Sequence, residues 1–170
     1  MSNPDRLEIE MSGGCQCGAI RFHATELINN PHICYCRMCQ KATGQLMATA
    51  VGVRHQHLAW SRGKPAVFKS SEHVERGFCA ECGTPLFFRW RGGPHVSIAL
   101  GAFDLPHRIP VLAQMGTEGK HPSLANLDAI EDRGSTEEMS PEGTAEIRRT
   151  NRQHPDHDTA VWPPPEGFPQ

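Results

Sequence analysis

The chain has 170 residues, of which 38% are hydrophobic and 21% charged, the make-up of one globular domain that carries some irregular chain. Seventeen basic side chains against nineteen acidic ones give a formal charge of −2, which leaves no polybasic footprint for nucleic acid, and no run approaches the roughly 18 apolar residues of a membrane span. The opening residues Met-Ser-Asn-Pro-Asp-Arg lack an apolar signal core, so the expectation is a cytoplasmic chain whose thiols stay reduced.

Short alternating segments separated by Gly and Pro predict strands over residues 7–11, 19–25, 46–53, 67–69, 74–78, 85–90, 96–100 and 111–115. In the second of these, Ile20 and Phe22 fall on one face and Arg21 and His23 on the other. Arg62-Gly63-Lys64-Pro65 and Arg91-Gly92-Gly93-Pro94 read as turns. Residues 40–42 read as a helical turn, and helix-length amphipathic runs are otherwise scarce. The pattern is mainly β, with short antiparallel strands, and it points to a domain over residues 1–130. Residues 131–170 differ in composition, with nine acidic and four basic side chains and six of the fourteen prolines. Such a stretch buries too little to order itself alone. Within this extended, low-complexity C-terminal tail, residues 137–149 read as a weak helix with Pro141 near its start. Trp162-Pro163-Pro164-Pro165 reads as extended chain. The apolar residues Ile147, Val161, Trp162 and Phe168 are scattered, so the tail is expected to be partly disordered or strapped on the domain with Trp162 as anchor.

The seven cysteines carry the chemical information. They stand as Cys15 and Cys17, then Cys34, Cys36 and Cys39, then Cys79 and Cys82. Cysteines one or two residues apart do not easily bridge each other, but their thiolates can converge on one metal ion. All-thiolate sites favour zinc or iron–sulfur, and these spacings do not match the chained pattern of ferredoxins, so zinc is expected. A closed structural site takes four ligands and a catalytic one usually three, and seven divides as four and three. The first and last pairs run into Gly18 and Gly83, and glycine there lets the backbone curl around the sulfurs. Cys15, Cys17, Cys79 and Cys82 are therefore grouped as a closed site, and Cys34, Cys36 and Cys39 as an open one. Spacing alone also permits Cys15 and Cys17 to share an ion with Cys36 and Cys39. Near the trio, His32 is a candidate for proton transfer or for a fourth ligand. Arg37 and Lys41 are candidates for pairing with a carboxylate, or simply solvated surface charge. Lys64, Arg89, Arg91 and Asp104 receive no role.

The ordered segments G-G-C-Q-C-G-A-I-R-F, C-Y-C-R-M-C-Q-K-A-T-G and F-C-A-E-C-G-T-P-L resemble the glutathione-dependent formaldehyde-activating enzyme family, whose domain also occurs in centromere protein V. The resemblance spans residues 7–125 and includes G-T-E-G-K-H-P-S-L. It implies a zinc-stapled, β-tent-like domain, with structural zinc on Cys15, Cys17, Cys79 and Cys82 and catalytic zinc on Cys34, Cys36 and Cys39. It further implies a carbon–sulfur lyase or synthase that joins formaldehyde and glutathione, or a similar small thiol and aldehyde, as in S-hydroxymethylglutathione. A zinc carrying three thiolates suits an incoming thiolate better than it suits making hydroxide. The alternatives are a non-catalytic zinc-binding module for protein interaction and a detoxifying protein that uses another thiol or aldehyde.

Overall fold

A computed structural model describes residues 5–163. Among these residues twelve strands form three sheets. β1 (Arg6–Leu7) pairs with β4 (Leu27–Ile28). β2 (Met11–Gly14), β3 (Arg21–Ala24) and β7 (Leu58–Arg62) form a three-stranded antiparallel sheet. The large sheet joins β5 (His32–Cys34), β6 (Ala48–Arg54), β8 (Ala66–Lys69), β9 (Val74–Phe78), β10 (Pro85–Trp90), β11 (His95–Ala99) and β12 (Ala113–Met115) in the order β12-β5-β6-β11-β10-β9-β8. Its pairs are antiparallel except β5 with β12, which run parallel. The expectation of purely antiparallel strands is corrected at that edge: residues from both ends of the domain meet there, which a hairpin cannot arrange. No helix is long and apolar enough to cross a membrane among the described residues.

The core lies between the three-stranded and seven-stranded sheets. Alternation on β6 and β11 sends Val51, Val53, Val96 and Ile98 inward, where they are buried with Phe22, Leu86, Phe87 and Phe103. Phe22 meets Phe103 edge-on at 5.1 Å and Trp60 at 5.8 Å, the arrangement that ring quadrupoles favour. Gly77 admits the Phe87 ring, since a Cβ there would lie 2.0 Å from it.

Several expected boundaries shift. The 7–11 alternation straddles two sheets, leaving one at Leu7 and entering the next at Met11. The strand runs on through Gly13 and Gly14 by pairing with β3, and at Gly13 the Ala102 carbonyl and Phe22 ring leave no room for a side chain. The helix expected over 137–149 is two helices, Thr136–Met139 and Pro141–Thr150. Ser135 and Glu138 form a capping box on the first. Pro141, with no N–H to donate, begins the second at a position that suits it.

Arg21 and His23 share the face of β3 opposite Phe22, as alternation predicts, and at Arg21 that face is covered. The Arg21 side chain is 3% exposed and forks onto both carboxylate oxygens of Asp104 at 2.7 and 2.6 Å. Asp158 accepts two further bonds from it, at 2.8 and 3.1 Å, and one from the Ser12 hydroxyl at 2.6 Å. Asp158 thus holds the tail to the domain. His154 supports the same docking: it is buried, its backbone N–H donates to the Gln16 carbonyl at 2.6 Å, and its ring packs over Gly18. The Trp162 indole N–H donates to the Cys17 carbonyl. Pro164, Pro165 and Phe168 lie outside the described residues. Arg21→Met is expected to lower stability by about 3–5 kcal/mol in urea denaturation, because it strands the nearly buried Asp104 carboxylate. A change below about 1 kcal/mol would show the pair to be dispensable.

Candidate metal centres

The seven sulfurs collect into two groups. Cys15, Cys17, Cys79 and Cys82 have ligand atoms within 4.8 Å of one another, and so do Cys34, Cys36 and Cys39. The grouping that pairs Cys15 and Cys17 with Cys36 and Cys39 does not occur. All seven are free thiols.

The foursome joins two elements distant in sequence. Cys15 and Cys17 follow β2, and Cys79 and Cys82 occupy the turn from β9 to β10. Cys15 and Cys17 place their sulfurs 3.6 Å apart, and Cys17 and Cys79 place theirs 3.9 Å apart. Each pair curls through a glycine in the left-handed region, Gly18 at φ 81 and Gly83 at φ 77. Their N–H groups return to the Cys15 and Cys79 carbonyls at 3.0 and 2.9 Å. The Ile20 N–H donates to Cys15 Sγ at 3.3 Å. Cys79 is fully buried and Cys15 nearly so. Arg62 caps one side, donating to the Gly18 carbonyl at 3.0 Å.

The trio is built differently. Cys34 ends β5, and Cys36 is the N-cap of α1 (Arg37–Thr43), which carries Cys39. Gly44, in the left-handed region, closes the helix. The G-T-E-G-K segment wraps this loop. A Cβ on Gly116 would lie 2.7 Å from the Cys36 nitrogen and one on Gly119 2.5 Å from the Tyr35 carbonyl oxygen, so only glycine allows that approach. The Gln40 amide donates to the Gly119 carbonyl at 2.8 Å. The trio is more open than the foursome: Cys36 and Cys39 are half-buried and Cys34 is 9% exposed. Among the described residues no His, Asp or Glu joins the three sulfurs. His32 is turned to the Asn30 carbonyl at 2.8 Å. Arg37 is exposed and bonds Gln40 at 3.3 Å, and Lys41 is exposed. Arg89 is paired with Glu75, and Asp104 with Arg21.

Without a cation, each group holds an uneven set of protons. Burial, opposed by a Cys36 amide, pushes Cys34 up to about 12. Burial also tends to raise Cys36, but the Cys39 amide, the Cys34 and Cys39 thiols and the Met38 amide stabilise its thiolate and bring it below the usual range. In the foursome, burial raises Cys17 and Cys79. Cys82 is lowered to about 6 against its own burial, chiefly by the Thr84 hydroxyl and amide. Full deprotonation of either group therefore needs a cation among the sulfurs, and its binding releases protons.

Sequence reading did not single out Arg76. Its Nη2 donates toward Cys39 Sγ at 3.7 Å, although β9 lies four strands from β5 in the sheet. No local pattern signals such a contact, because the cysteine motif and Arg76 meet only through the tertiary fold.

A β-rich domain with two cysteine groups capable of coordinating metal is the class that fold and site define. The family model described as glutathione-dependent formaldehyde-activating enzyme matches residues 10–117, and the chain belongs to this family. Membership supports an enzymatic role in formaldehyde or thiol-adduct chemistry in general terms. A crystal structure of a Rhodobacter sphaeroides protein is similar in fold, with a TM-score of 0.51 and 23% identity, covering 62% of this chain and 100% of that one. No curated protein matches the chain by sequence.

Proposed function

We propose that the protein is a zinc-dependent carbon–sulfur lyase or synthase acting on a thiol–aldehyde adduct of the S-hydroxymethylglutathione type. Cys15, Cys17, Cys79 and Cys82 would hold a structural zinc that staples the β-tent-like domain of residues 1–130, and Cys34, Cys36 and Cys39 a catalytic one. The observation that carries this reading is the inequality of the two groups: four converging sulfurs in one, three with no further protein donor among the described residues in the other. A tetrahedral ion with bonds of about 2.3 Å sets its sulfurs about 3.8 Å apart, and the 3.6 and 3.9 Å separations in the foursome fit that donor set. The free thiols suit a reducing compartment, and we place the protein in the cytoplasm, with residues 131–170 as an appended tail.

Zinc, when bound, supplies a Lewis acid that lowers the pKa of a thiol it contacts. The chain's own contribution is charge and geometry. Three thiolates make the site electron-rich, which favours a sulfur nucleophile over hydroxide, and the missing fourth side chain leaves a place for that sulfur. In the synthetic direction the thiol sulfur bonds to the aldehyde carbon and the carbonyl oxygen takes up the thiol proton, and cleavage is the reverse. Nothing is oxidised or reduced.

Metal analysis of the purified protein is expected to return about two zinc ions per chain. NMR exchange spectroscopy should show formaldehyde and glutathione interconverting with their adduct faster than the spontaneous background, in proportion to protein concentration. About one zinc per chain, or exchange at the background rate, would leave the non-catalytic zinc module in its place.

A further inference from the structure

Arg76 is a cation with an unusual surrounding. Its Nε–H donates to the Ser70 hydroxyl at 3.2 Å, its guanidinium lies over the Phe88 ring at 5.2 Å, and one Nη2 hydrogen points to Cys39 Sγ. A guanidinium offers five N–H donors, so three remain. No carboxylate pairs with it among the described residues, whereas Arg89 on the next strand is matched to Glu75. Glu75 is adjacent to Arg76 in β9 and therefore faces the other side of the sheet.

The register places Arg76 beside Phe88, Phe88 beside Ser97, and Cys34 beside Ala48. These residues share one face. Between Arg76 and the trio that face carries Ala48, Ala50, Ser97 and Ala99, small and half-buried. A fixed, half-buried guanidinium with unused donors therefore stands beside three thiols over a low surface. Such a fork matches a carboxylate in two parallel bonds.

Resting on the function proposed above, we infer that Arg76 holds a carboxylate of the thiol substrate and makes the site selective for thiols that carry one. The competing role is an indirect one, in which Arg76 acts only on the Cys39 sulfur. The two differ in what they do to selectivity, because an effect through Cys39 reaches every thiol alike.

The test loads the full chain with Co(II) and follows the sulfur-to-cobalt charge-transfer band while titrating 3-mercaptopropionate or 2-mercaptoethanol. The wild-type protein is expected to bind 3-mercaptopropionate about tenfold or more tightly than 2-mercaptoethanol. In Arg76→Met that ratio falls to within about twofold of one, and in Arg76→Lys, which keeps a point charge but loses the fork, it lies between the two. A wild-type ratio near one overturns the inference, and so does a ratio that survives in Arg76→Met even if both thiols weaken together. Should Arg76→Met fail to fold, the wild-type ratio and Arg76→Lys still decide. Binding of neither thiol to the wild-type protein would overturn the open site itself, and this inference with it.

Discussion

Cys79→Ser is expected to leave a chain without a cooperative thermal or denaturant transition. Cys79 is fully buried in the turn between β9 and β10, and its sulfur lies 3.9 Å from that of Cys17, at the end of the three-stranded sheet. On the proposed reading an ion in this foursome ties together two sheets whose cysteines are 62 residues apart. Binding energies of structural zinc run to about 10–16 kcal/mol, against a whole-domain stability of about 5–15 kcal/mol. Weakening that site removes a quantity as large as the stability itself. Serine makes matters worse, since its hydroxyl is a poor donor for a soft cation and would be buried. Circular dichroism with urea titration reads the outcome, and chelation of the wild-type protein should reproduce it. A variant that unfolds cooperatively within about 1 kcal/mol of wild type would show the foursome to be structurally inert.

The cysteine groups were legible in the sequence because ligand spacing is local: C-Q-C-G and C-A-E-C-G each announce a curled backbone, and Gly18 and Gly83 do adopt the left-handed region. The strands at 74–78 and 85–90 were legible for a similar reason, since alternation and a cysteine turn between them define a hairpin. What depends on contacts between distant residues was not legible. His32–Cys34 is too short to show a period, and it pairs with β6 and, in parallel, with β12. Arg21 looks like a solvent-facing residue in an alternating strand until Asp104 and Asp158 arrive from elsewhere in the chain to neutralise it. Gly116 and Gly119 look like ordinary loop glycines, and their reason is the backbone of Tyr35 and Cys36 pressed against them. Arg76 belongs to the same class.

Cys36→Ser should separate activity from folding. Cys36 is half-buried and N-caps α1 with an extended backbone, φ −58 and ψ 148. Serine is among the residues preferred at that position, because its oxygen accepts from first-turn amides, so the substitution preserves or improves the helix start. The same amides now help hold Cys36 below the usual thiol range, which readies its sulfur to serve as a thiolate. Exchange of that sulfur for a hydroxyl leaves Cys34 and Cys39 as a pair too weak to retain an ion. The expected result is exchange of formaldehyde and glutathione at the background rate, metal content falling from about two to about one per chain, and a urea midpoint corresponding to a loss of no more than about 1 kcal/mol. The comparison with Cys79→Ser is what gives the result its force. If both variants unfold to the same degree, the trio is a second staple, and if Cys36→Ser keeps its activity, the chemistry lies elsewhere on the chain.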